Sequence, residues 1–230
     1  MAWPLTSALR ITIRPRASNS PSDPSVIAVT PTRLVVRQRP MRVLDFDIEN
    51  RPLSYLGSDF TTAEVTAISW AWTDRPDDVT VYLLGETELP DILKAFVAVY
   101  RDADMVTGHF IKGHDLPMIN GALVELGMPT LPDKLVQDTK LDLARMKGLS
   151  RSQESLAAMF NLDHPKVQMN QIRWRAANRL TPEGLAAVRE RVVGDVRQHI
   201  EMRARLLDFG YLRAPSVWKS GAAPVEVYTP

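Results

Sequence analysis

Residues 41–52, MRVLDFDIENRP, constrain this chain more than any other stretch. Side chains alternate along a strand, so Leu44, Phe46 and Ile48 point one way and Asp45, Asp47 and Glu49 the other. The apolar face demands a core on its side. The carboxylates of the other face repel one another and resist burial unless water or a cation neutralises them. Their oxygens are hard ligands of the kind Mg²⁺ and Mn²⁺ prefer. One reading is a two-metal site on a central strand; the other is an edge strand with a solvated acidic face.

The 230 residues are 45% hydrophobic and 24% charged, the balance of a globular chain with ample material for one large domain. There is no cysteine, which excludes disulfides, thiolate zinc sites and a catalytic thiol. A metal must then be held by oxygen or by the four histidines. No apolar run is long enough to span a bilayer, so a cytoplasmic protein with no membrane partner is expected. The net charge of +1 hides an uneven distribution. Residues 1–42 carry seven arginines against one acid, Asp23, leaving 21 basic and 26 acidic groups for the remainder. From 166 to 213 ten basic residues face five acidic ones. A basic arm, an acidic centre and a basic final third suit a metal site flanked by surfaces for a polyanion. A plain solvated helical surface is the alternative for that last third.

Residues 1–40 hold six prolines and the cluster ASNSPSDPS, and read as a flexible, basic, Pro/Ser-rich arm. Their composition resembles a transit peptide, but the prolines oppose the amphipathic helix that such a peptide needs. Residues 41–213 read as the domain and 214–230 as an irregular tail. Stretches 64–72 and 79–84, rich in β-branched and aromatic residues, flank the turn cluster TDRPDD and predict an antiparallel pair. Apolar periodicity and end signals predict helices over 89–100, 116–126, 153–160 and 181–207, with short strands over 104–109 and 135–139. Antiparallel strands first, then strands alternating with helices, imply a mixed sheet covered by helices. Trp70 and Trp72 are expected in the core and His199 on a helix surface. Arg173, Trp174, Arg175 and Arg179 form a basic segment suited to a nucleic-acid backbone, or a solvated loop.

Two further acids matter: Asp115, at a strand-to-helix junction, and Asp195, inside the last helix. The order D-x-E, D, D resembles the DEDD, or DnaQ-like, 3′–5′ exonuclease superfamily. It is most similar to the proofreading domains of family B DNA polymerases and their stand-alone relatives. FDIE (46–49) looks like the first motif, GHFIKGHDLP (108–117) the second and GDV (194–196) the end of the third. Two smaller segments, SLAAM from Ser155 and KVQM from Lys166, are similar to stretches lying between the second and third. The similarity runs over about residues 42–207, in the family's motif order.

The resemblance implies an α/β, ribonuclease-H-like fold, a mixed five-stranded sheet flanked by helices. It implies two Mg²⁺ or Mn²⁺ ions held by Asp47, Glu49, Asp115 and Asp195. Asp47 would bridge them, and Asp115 would act largely through water. Lys166 would offset charge on the phosphate, and Ser155 and Leu156 would help hold a single strand. Asp45 lies outside the motif and reads as a supporting neighbour of the ligands. The implied activity is hydrolysis of single-stranded nucleic acid, DNA ahead of RNA, from its 3′ end to nucleoside monophosphates. The implied setting is replication or repair, for a host or a phage, with any polymerase partner acting in trans.

Three positions depart from the family pattern. A Tyr four residues before the last Asp, or a His five before it, is usual; here stand Arg191 and Glu190. Arginine stays protonated and cannot act as a base, but from one turn away it can pair with Asp195 or clamp a phosphate. Phe110 replaces a strand-binding Asn and offers a stacking surface. His114 replaces the Phe before Asp115, with a structural or substrate-facing role expected. A weakened or inactive nucleic-acid-binding module, and an exoribonuclease, are the rival readings.

Overall fold

A computed structural model describes residues 39–53, 61–164 and 167–221. Most of the arm, Lys166 and the last nine residues lie outside these. Six strands form one mixed sheet in the order β3-β2-β1-β4-β5-β6. They are β1 (Val43–Pro52), β2 (Ala63–Trp72), β3 (Thr80–Leu83), β4 (Met105–Gly108), β5 (Lys134–Asp138) and β6 (Ser216–Trp218). β1, β2 and β3 form an antiparallel meander, β4 and β5 run parallel to β1, and β6 returns antiparallel to β5. The helices are α1 (Leu89–Asp102), α2 (Asp115–Glu125), α3 (Thr139–Asp142), α4 (Gln153–Phe160), α5 (Gln171–Asn178) and α6 (Pro182–Asp208). This is the ribonuclease-H-like α/β architecture, with one strand more than the sequence predicts.

β1 is central, paired on both sides, which removes the edge-strand reading. Its apolar face meets α1 and α2: Leu44, Phe46 and Ile48 join Ile92, Phe96 and Ile119 in the main core. Trp70 and Trp72 belong to this core too, Trp70 stacking on Tyr82 with ring centroids 5.5 Å apart. The acidic face lies under α6. Small residues on β2, Ala67, Ser69 and Ala71, let that helix come close, and Ser69 Oγ donates to Val192 O at 3.2 Å. Thr181 caps α6 by accepting from the Gly184 amide at 3.2 Å, and Pro182 follows at the first turn.

Candidate metal centre

β1 becomes irregular where its acids end. Its pairing with β2 shifts register between Glu49 and Asn50, and such bulges re-aim side chains beside functional sites. Facing it, α6 carries Arg191, Asp195 and His199 at four-residue spacing, hence on one stripe. Four helical residues advance about 6.0 Å and two strand residues about 6.6 Å, so the two rows stay nearly in step over three rungs. At one end Arg191 Nε donates to Glu49 Oε1 at 2.5 Å. At the other His199 Nδ1 lies 2.5 Å from Asp45 Oδ2. The middle rung sets Asp195 against Asp47, carboxylate against carboxylate.

One carboxylate oxygen from each of Asp47, Glu49 and Asp195 lies within 4.8 Å of the other two. Oxygens on opposite sides of a Mg²⁺ stand about 4.2 Å apart, so small side-chain rotations would close this set on a cation. The donor set is hard, anionic and half-buried to buried, and Arg191 is a stand-in cation between Glu49 and Asp195, its second contact being 3.6 Å to Asp195 Oδ2. The residues present therefore fit a divalent ion. Burial opposes the charge on Arg191, but the attraction of Glu49, Asp195 and Asp47 outweighs it and raises its pKa. The guanidinium also donates to Val167 O at 3.1 Å and lies over the Trp174 ring at 5.2 Å.

Asp115 opens α2, buried, and accepts from the Ile48 amide at 3.3 Å, between the two β1 acids. It stands beside the three-acid set without joining it. Burial pushes its carboxyl up, against the pull of the His114 ring 3.3 Å away. The same hydrogen bond pushes the His114 imidazole up.

Phe110 takes a left-handed conformation, φ 77°, at the β4–α2 junction, held by its amide donating to Asp138 Oδ1 at 3.1 Å. Lys140 Nζ lies 4.2 Å from its ring centroid, and the ring presses on Gly113, where an added Cβ would fall 2.5 Å from two ring carbons. Ser155 is exposed in the first turn of α4, its hydroxyl accepting from those of Ser150 and Ser152. Leu156 is fully buried, packed with Leu143, Met202 and Leu206, so its side chain faces the protein's own core.

The expectation of an exposed His199 is corrected. The ring is 2% exposed, because Asp45 receives it on one side and Thr139 Oγ1 lies 2.9 Å from Nε2 on the other. Trp174 and the Val167 carbonyl, which hold Arg191, lie in segments the sequence singled out, but nothing local links them to Arg191. The matched spacing of 45/47/49 with 199/195/191 is the signal that could have found the His199 pairing.

No family model and no curated protein matches the chain. Among solved structures it is similar to the family B DNA polymerase from the hyperthermophilic archaeon Pyrobaculum calidifontis, with a TM-score of 0.58 and 19% identity. The match covers 75% of this chain and 25% of that one, so the chain corresponds to about a quarter of the polymerase. At this identity the likeness establishes the fold. The acidic cluster, independently of that likeness, is a candidate metal site.

Proposed function

We propose that the protein is a divalent-metal-dependent 3′–5′ exonuclease acting on single-stranded nucleic acid, DNA ahead of RNA. The observation that carries this reading is the arrival of Asp195, from α6, beside Asp47 and Glu49 of β1. The direction of cleavage and the class of substrate are what the family resemblance of the motifs implies. In the reaction a water molecule gives up a proton to solvent as its oxygen bonds to phosphorus, the bond to the 3′-oxygen of the penultimate sugar breaks, and that oxygen takes up a proton from solvent. A bound Mg²⁺ or Mn²⁺ would supply positive charge to the attacking and leaving oxygens. Asp47, Glu49 and Asp195 would hold it; Asp115 keeps β1 in place through the Ile48 amide. Phe110 and His114, both part-exposed at the β4–α2 junction, are proposed contacts of the terminal nucleotide. Lys166 and Ser155 are proposed strand contacts on the resemblance alone, and a polymerase partner in trans stays part of this reading.

Digestion of matched 3′-labelled and 5′-labelled DNA and RNA strands with Mn²⁺ tests it, beside Asp47→Ala. Mononucleotide release from the 3′ end by the wild type alone is expected. Equal digestion by both proteins would place the activity elsewhere. A second reading, a binding module without catalysis, is favoured by Arg191 lying on two of the three acids. It predicts salt-sensitive binding and no cleavage.

A further inference from the structure

We propose that Lys140 is a further substrate-binding residue, its ammonium meeting the phosphate of the terminal nucleotide. The inference rests on the exonuclease reading and adds to it a residue outside the motifs of the sequence.

Placement carries the first step. Asp138 ends β5, 1% exposed, and its carboxylate accepts three backbone amides. Phe110 N and Leu141 N reach Oδ1, each at 3.1 Å, and Lys112 N reaches Oδ2 at 3.0 Å. One buried anion thus ties the junction that carries Phe110 to the turn of α3 that carries Lys140. That tie holds Phe110 at its positive φ of 77°, and Lys140 Nζ comes to rest 4.2 Å from the ring centroid. His114, at the same junction, is within electrostatic reach of both Lys140 and Glu49, which places the ammonium near the candidate metal centre.

The surroundings of the ammonium carry the second step. Among the described residues three lysines are half-buried. Lys112 donates to Ser216 Oγ and Lys134 to Ala103 O, each at 2.6 Å. Lys140 makes no ion pair and no hydrogen bond among these residues, and rests on the face of Phe110. An aromatic face attracts the charge but supplies no oxygen acceptor, so three N–H donors stay available to an incoming oxyanion. A phosphate is the oxyanion that a nucleotide at Phe110 would bring, and a lysine meets it as a point charge.

Equilibrium binding of a single-stranded oligothymidylate to the full chain, with divalent ions chelated, tests this apart from cleavage. The terminal linkage is either the ordinary phosphodiester or an uncharged methylphosphonate. Lys140→Met keeps the stem on the Phe110 ring and removes the charge. It is expected to weaken binding of the phosphodiester strand about fivefold to tenfold and to flatten log K against log salt by about 0.7. The methylphosphonate strand should bind nearly unchanged, and Lys140→Arg should restore most of the loss. An equal loss on both strands, or no loss on either, would overturn the inference. The nuclease reading would still stand if the wild type digests the strand in Mn²⁺. A loss confined to the phosphodiester strand, in a protein that digests nothing, would keep Lys140 as a phosphate contact and overturn the exonuclease reading instead. No strand bound by the wild type would overturn both. Should Lys140→Met not fold, Lys140→Gln makes the same comparison.

Discussion

His199 Nδ1 and Asp45 Oδ2 lie 2.5 Å apart between α6 and β1, both residues almost fully buried. From His199 a chain of contacts runs on: Nε2 to Thr139 Oγ1 at 2.9 Å, Thr139 Oγ1 to His109 Nδ1 at 2.9 Å, and His109 Nε2 to the Arg151 carbonyl at 2.8 Å. A carbonyl only accepts, so His109 Nε2 carries a proton. The Thr139 hydroxyl has one proton to offer among His109 Nδ1, His199 Nε2 and the Gly108 carbonyl 3.3 Å away. Burial pushes the Asp45 carboxyl up, while His199 and Arg203 draw it back. The pair is thus a buried, hydrogen-bonded clamp that fixes α6 on β1.

Removing one partner strands the other in the interior, which typically costs about 3–5 kcal/mol. Asp45→Ala and His199→Ala are each expected to lose stability on that scale in urea unfolding. The double substitution Asp45→Leu with His199→Leu should lose clearly less than the sum of the single changes. Additive losses would show that the two side chains do not act as a pair.

Gly184 sets two effects of opposite sign against each other. By helix propensity alone, alanine there would stabilise α6 by about 1 kcal/mol. A Cβ at 184 would, however, lie 2.2 Å from the Ala176 carbonyl carbon and 2.3 Å from its oxygen, so α5 would have to move. Backbone cannot rotate aside as a side chain does, and overpacking of this kind costs about 1–3 kcal/mol. Gly184→Ala should therefore be destabilising, with faster amide exchange in α5 than in the rest of the chain. A rise in melting temperature would mean that the helices are less tightly apposed.

Much of this arrangement could be read before any coordinates. The alternation around Phe46 placed β1 correctly because a buried strand with unlike faces has few other uses. Gly127 and the Thr181-Pro182 pair marked helix ends because they act through local backbone geometry. What escaped has long-range causes. His199 looks like a surface residue until Asp45, 154 positions away, is folded against it. α5 buries only Ala177 and shows no apolar stripe. It is held by Ala177 and Trp174 packing on Val188 and Val192 of α6, by the Asn170 cap on Arg173 N and by Arg51 donating to Asn178 O. β6 has three residues and an exposed Val217. Its anchors are its pairing with β5 and contacts such as Lys219 and Ser220 with Asp133.

Tyr100 makes stability fall in alkali. Burial, with Asp133 nearby, pushes its phenol far above the ordinary value near 10, and its hydroxyl donates to Pro132 O at 3.0 Å. A folded pKa above the unfolded one means that this stability is fully present below pH 10. It is lost as pH rises beyond, because the unfolded phenol ionises first, at up to about 1.4 kcal/mol per pH unit. Tyr100→Phe should lose about 0.5–1.5 kcal/mol at pH 8 with the hydrogen bond. Between pH 10 and 11 its stability should fall less steeply than the wild type's. Parallel curves would mean that the phenol is not held neutral by the fold.

The α5 helix offers a separate test of where a strand would run. Arg173 and Arg175 are exposed on it and Arg179 at its C-terminal cap, and Trp174 between them carries Arg191 of the candidate metal centre against its ring. Exposed arginines gain from phosphates mainly by releasing counterions, and each single-strand phosphate contact steepens log K against log salt by about 0.7. With divalent ions chelated to prevent cleavage, replacing all three by alanine should weaken single-stranded DNA binding similarly for every sequence. It should also flatten the salt slope by about 2 if each arginine meets one phosphate. Arg191→Gln should change the slope by no more than one contact, since that guanidinium is already committed to Glu49 and Asp195. An unchanged slope in the triple variant would remove α5 from the path of the strand and turn attention to other basic surfaces of the chain.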